Sequence, residues 1–181
     1  MTRFKISLVA SSLALVVAIV STIALTAQVG AQDDMEQAHK AVVVRVIDEA
    51  FNQGILDVFE EGFAPDYVFH SPGGDESAED FMGFIMAARA AFPDLQATAD
   101  PVIAEGEWVA LRFTMTGTFE NELAFPSLPE AIPPSGDPVV LTINVILRFN
   151  EDGQIVEEWD EYDNLGWFTQ LGILPPMGEG M

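Results

Sequence analysis

Cysteine is absent from this chain. That excludes disulfides, thiolate metal ligands and thiol nucleophiles. Histidine is scarce, with His39 and His70 alone, and two imidazoles without a thiol make a poor ligand set for a transition metal. Positive charge is scarce as well. Seven Lys and Arg stand against 29 Asp and Glu, a formal net charge of −22. Such a surface repels nucleic acid and anionic membranes, so neither is expected as a partner. The chain has no G-x-S-x-G elbow, no P-loop and no G-x-G-x-x-G fingerprint, the usual marks of an acyl nucleophile, a nucleotide phosphate site and a dinucleotide site. Neither a metal nor an organic cofactor is expected.

What is present begins with one long apolar run, ISLVASSLALVVAIVSTIAL, after the basic start MTRFK and before the small, polar TAQVGAQDD. Val29 and Ala31 suit a signal-peptidase site, with cleavage before Gln32. The run is also near the roughly 20 residues that span a bilayer, so a retained anchor is the rival reading. Residues 1–31 are thus read as leader or anchor, and residues 32–181 as a single domain. Either way that domain lies outside the cytoplasm: secreted, periplasmic or on the outer face of the cytoplasmic membrane. Membrane contact is expected only through an uncleaved segment. Cleavage would leave one lysine among five bases, against 29 acids. This acidity serves solubility or resembles the surfaces of halophile proteins.

The first half of the domain reads as helical. Val42, Val43, Val46, Ile47, Ala50 and Phe51 recur at helical spacing over residues 34–53, closed by NQG. ILDVFEEGF, residues 55–63, predicts a short helix stopped by APD, and YVFH, residues 67–70, a short strand. Ser77 with Asp80 forms a near capping box ahead of a third helix that ends at Phe92-Pro93-Asp94. The period then changes to that of strands, over residues 95–105, 107–119, 138–150 and 154–162, with turns at AEGEW and NEDG. A proline-rich segment, residues 120–137, is too long for a tight turn and reads as a flap. NLGWFTQLG predicts a terminal helical turn. The order implies an α+β domain, with helices packed on a curved antiparallel four-strand meander that can leave a pocket.

A helix ending in NQG, then APDYVFHSP, FPDL, AEGEWVALRFTMTGTF and finally RFNEDGQIVEEWDEYDNLGWFTQLG together resemble the SnoaL-like polyketide cyclases, or ester cyclases, of the NTF2-like superfamily. The resemblance covers residues 38–175. It implies a cone-shaped α+β fold enclosing a pocket for a small-molecule ligand, and cofactor-free acid/base chemistry of the cyclase or isomerase kind on a carbonyl-bearing or cyclic compound. It also implies that homodimers are common. The family's acid/base Asp on the last strand corresponds to Asp160, in EEWD. Its assisting His on the neighbouring strand is not matched, since LTINVILRF offers Asn144 and Val145 there. A non-catalytic ligand-binding domain is the alternative.

The candidate catalytic residues are therefore Asp160 and His70. Abstracting a proton beside a carbonyl needs a base within hydrogen-bond reach, and an apolar pocket raises a carboxyl's pKa toward that task. Strand alternation puts Glu158, Asp160 and Tyr162 on one face of the last strand, and Glu157, Trp159 and Glu161 on the other. A bulge could relieve that separation, and the sequence leaves open which face lines the pocket. Arg112, between Leu111 and Phe113, either pairs with Asp160 or Glu158 or binds a substrate oxygen. Asn144 could donate to a bound carbonyl. Trp108, Trp159 and Tyr67 complete the candidate ligand contacts, with core or flap packing as the plainer reading of Trp108.

Overall fold

The computed structural model describes residues 30–71, 74–124 and 130–175. The expected leader, but for its last two residues, lies outside the described residues, as does the middle of the proline-rich flap. Among the described residues no helix is long and apolar enough to cross a membrane.

Helix α1 spans 30–53, regular to residue 46 and then widened into a π turn over Ile47–Gln53. It therefore starts earlier than its apolar period suggested. Gly54, at φ 77°, ends it in the left-handed conformation that only glycine adopts without strain. Asn52 beside it pins the helix end to the sheet. Its Oδ1 accepts the Ala97 N–H at 2.7 Å, and its Nδ2 donates to the Ala97 carbonyl at 3.0 Å. Helix α2 is Val58–Gly62, three residues shorter at its start than expected. Helix α3, Ala78–Ala91, opens with the full capping box, Ser77 and Asp80 bonding each other's backbone N–H. Helix α4 is Asn164–Gln170, capped by the Asp163 side chain on Gly166 N.

The strands are β1 Phe63–Ser71, β2 Gly74–Glu76, β3 Gln96–Glu105, β4 Trp108–Thr118, β5 Pro138–Phe149 and β6 Ile155–Tyr162. They form one six-stranded curved sheet in the order β2-β1-β6-β5-β4-β3. The expected meander is present as β3–β6, each neighbour antiparallel. The correction is at the other edge. β1 is nine residues long rather than four, runs parallel to β6, and carries β2 as a hairpin partner. Pro65 did not stop this strand because β1 and β6 lose register between Phe63 and Val68, where no ladder N–H is needed.

One face of the sheet packs against α1, α2 and α3. From it project Leu111, Phe113 and Met115 of β4, Leu141, Ile143, Val145 and Leu147 of β5, and Phe63, Tyr67 and Phe69 of β1, all buried. Phe51 of α1 packs on Phe113 with ring centroids 4.8 Å apart, and Phe81 of α3 lies 5.0 Å from Phe69. Each such ring contributes about 1.5–3 kcal/mol by leaving water. The proline-rich segment is tied down where it is described, by a Leu123–Ile132 bridge with both side chains buried.

Candidate functional site

Between the helices and the inner face lies a cavity of about 130 Å³, on the scale that holds a single aromatic ring. Its walls are apolar: Val43, Val46, Ile47 and Phe51 from α1, Phe81 and Phe84 from α3, and the inward residues of β1, β4, β5 and β6, with Trp167 from α4. Five polar residues join them, namely Ser71, Glu76, Glu158, Asp160 and Tyr162. Among the described residues no lysine, arginine or histidine lines it. Ser71, Glu76, Phe84 and Tyr162 are the lining residues that reach solvent, which places the mouth between the β1–β2 hairpin, α3 and the end of β6.

Two carboxyls sit inside this apolar space. β6 pairs with β5 without a bulge from Glu157 to Tyr162, so alternate side chains keep alternate faces. Glu158 and Asp160 therefore both point inward, at 6% and 7% exposure. The phenol of Tyr67, on the adjacent β1, donates to Glu158 Oε2 at 2.6 Å. The two carboxyls lie within hydrogen-bond reach of each other. Asp160 Oδ1 is buried with no hydrogen-bond partner among the described residues, and the residue opposite Asp160 on β5 is Val145.

Burial dominates the electrostatics. Desolvation pushes Glu158 up to about 7, against the opposing pull of the Tyr67 hydrogen bond. Asp160 is pushed up to about 9, first by burial and then by the charge of Glu158. Tyr67 is raised strongly, by burial and then by Glu158, so it remains a neutral donor. Tyr162 is raised by burial and then by Asp160. A pair of this kind retains a proton at neutral pH, because two adjacent charges in a dry site repel.

The other candidates fall elsewhere. Trp159 is on the outer face, with its ring stacked on His70 at 4.9 Å and tilted against Trp108 at 5.9 Å. His70 Nδ1 lies 2.7 Å from Asp75 Oδ1, and its ring does not reach the cavity. Arg112 is exposed and faces Asn144 across the β4–β5 ladder, also exposed. It pairs with neither Asp160 nor Glu158, because its neighbours Leu111 and Phe113 take the inward positions. Trp108 is 41% exposed on that same outer side. Tyr67 is inside but behind Glu158, so it touches the carboxylate rather than the cavity space. His39 is a core residue, stacked on Phe149 at 4.2 Å with Nδ1 3.2 Å from the Gly106 carbonyl. The residue whose role the sequence reading missed is Glu158. Its signal was available, since whatever turns Asp160 inward turns Glu158 with it.

The profile of the SnoaL-like polyketide cyclase family matches residues 41–171. The chain belongs to the SnoaL-like polyketide cyclase family. Among solved structures it is similar to IdmH of Streptomyces antibioticus, assigned as a polyketide cyclase, at 31% identity over 74% of this chain and 98% of that one, TM-score 0.59. It is also similar to AclR of Streptomyces galilaeus, assigned as a hydroxylase, at 28% identity over 77% and 99% of the two chains, TM-score 0.64. A SnoaL-like protein of Jannaschia sp. CCS1, at 24% identity over 78% and 96%, TM-score 0.65, shares the fold. Among curated proteins no sequence matches. The curved sheet with its helices is the NTF2-like cone of these neighbours. A fold of this kind does not by itself fix the reaction, which belongs to the site.

Proposed function

We propose that this SnoaL-like domain carries out cofactor-free acid/base chemistry, of the ring-closing or double-bond-shifting kind, on a small neutral ring compound bearing a carbonyl. The observation that carries the reading is the Asp160 carboxyl, which lines an apolar cavity and whose buried Oδ1 has no hydrogen-bond partner among the described residues. A ligand carbonyl or hydroxyl completes it. The lining holds acids and no cation, so a carboxylate or phosphate ligand would be repelled and left unpaired, whereas a neutral ketone would not. The basic, apolar and then small-residue leader supports an exported protein, and intact mass of the exported chain would reveal cleavage after Ala31.

The test uses 2-tetralone, a neutral aryl ketone. The wild-type protein should quench Trp167 fluorescence on binding it and catalyse exchange of its α-hydrogens in D₂O above the buffer rate. 2-Naphthoate should bind at least about ten-fold more weakly, for want of a cation. The double variant Glu158→Gln/Asp160→Asn should lose the catalysed exchange. Binding of 2-tetralone without exchange would instead establish the alternative, a non-catalytic ligand-binding domain. Val145 favours that alternative, as it stands where the family resemblance implies an assisting histidine near Asp160.

A further inference from the structure

We infer that Glu158 is the base of this site, that Asp160 is its proton donor, and that Tyr67 decides which of the two carries the charge. This rests on the acid/base reading above and divides its labour. The two carboxyls stand at alternate positions of a regular strand and point into one cavity, yet their surroundings differ. Glu158 accepts the Tyr67 hydroxyl at 2.6 Å. A hydroxyl gives one proton to that bond, and the bond is strongest when the acceptor is ionised. Asp160 receives no such donor, its Oδ1 is unbonded, and Val145 and Ile143 flank it on β5. One proton shared between them therefore resides on Asp160, and the negative charge resides on Glu158.

The charged and titratable groups facing the pair agree. They are Tyr67 from β1, Glu76 from β2 and Tyr162 from β6 itself, while Glu161, on the outer face of β6, adds its negative charge to the field at Asp160. None is a cation, so nothing offsets the cost of ionising both.

The step balances. A Glu158 carboxylate oxygen takes the hydrogen from the carbon beside the ligand carbonyl. The C–H electron pair becomes the new C=C bond, and the carbonyl π pair moves to oxygen, which takes the proton of Asp160. The result is an enol, a neutral Glu158 and an Asp160 carboxylate, with one negative charge before and after. Return of the enol proton to Asp160, and delivery of the Glu158 proton to a different carbon or to the oxygen of an attacked second carbonyl, resets the pair.

The experiment has a readout without ligand and one with it. Carboxyl ¹³C shifts followed from pH 5 to 10 should show Glu158 ionising first while Asp160 stays protonated near pH 8. The reverse order overturns the inference. In 2-tetralone exchange, Glu158→Gln should lower the catalysed rate by about 10²–10⁴-fold, the usual worth of a positioned base. Asp160→Asn keeps an N–H that can hold the enolate oxygen but cannot give up a proton, and should lose less than Glu158→Gln within the same range. Tyr67→Phe removes the bond that holds Glu158 down and should move the acid limb of the pH–rate profile upward, which a merely structural tyrosine would not do. If Asp160→Asn is the more damaging change, Asp160 is the base and the inference falls with the acid/base reading intact. If the folded double variant exchanges as fast as wild type, the acid/base reading itself falls.

Discussion

The two faces of strand β6 carry nearly the same chemistry and give it opposite settings. Glu157 faces outward, where Arg148 grips its Oε2 through both Nε, at 2.6 Å, and Nη2, with His70 beside Oε1 at 3.6 Å. Glu158, one residue on, faces an apolar cavity with a phenol and another carboxyl for company. The outer acid is paired with charge and open to water, and the inner acid has neither. Residue type therefore says little about what a carboxyl does in this protein. The strand register decides, by choosing which side of the sheet each acid meets.

The largest way to sharpen that contrast is through packing. Phe113 projects inward, 5% exposed, with its ring tilted against Phe51. Phe113→Ala should cost about 3–5 kcal/mol in a denaturant melt. Arg112→Ala, its exposed neighbour, should stay within about 0.5 kcal/mol. Equal losses would mean that the two sides of β4 are not distinct environments.

The second contrast is in pH. Glu158 and Asp160 bind protons more tightly folded, at about 7 and about 9, than unfolded, at about 4. The native state then holds more protons than the unfolded one between those values, so their contribution to stability is full near pH 4 and is lost as pH rises to about 9. The double variant Glu158→Gln/Asp160→Asn removes both titrations. Its Tm should exceed wild type by an amount that grows from pH 5 to pH 9, reaching several degrees at about 2–4 °C per kcal/mol. A constant gap across that range would show that the pair is not buried as ionisable groups. The smallest effect belongs to the outer acid. Glu157→Gln should cost about 0–1 kcal/mol, shrinking in molar salt, because its pairs lie near water.

Local chemistry was legible in the sequence. Ser77 and Asp80 announced the α3 cap, and the four later strands fell within a residue or two of their expected ends. The alternation that joins Glu158 to Asp160 could also be written down at once. What could not be read was any fact that depends on a distant partner. APD ended the second helix as expected, but that β1 runs on through Pro65 depends on its irregular pairing with β6. Tyr67 had no visible connection with Glu158, since 91 residues separate them. Trp159 looked like a pocket wall because it neighbours Asp160, and that adjacency is what sends it to the other face. The π turn of α1 leaves no mark in the apolar spacing, yet it supplies Ile47 and Phe51 to the cavity wall.

The parallel pairing of β1 with β6 also sets a timetable. Tyr67 leaves the ribosome long before Glu158, by roughly 5–20 s at ordinary synthesis rates. During that interval β1 has no β6 to lie against, and the β5 edge that β6 will pair with is first unmade and then open. The long-range contact is also one that a chain makes slowly, since a large loop must close before any bond repays it. The carboxyl pair is thus among the last parts of this molecule to exist, and a nascent or frayed chain without β6 possesses no site at all.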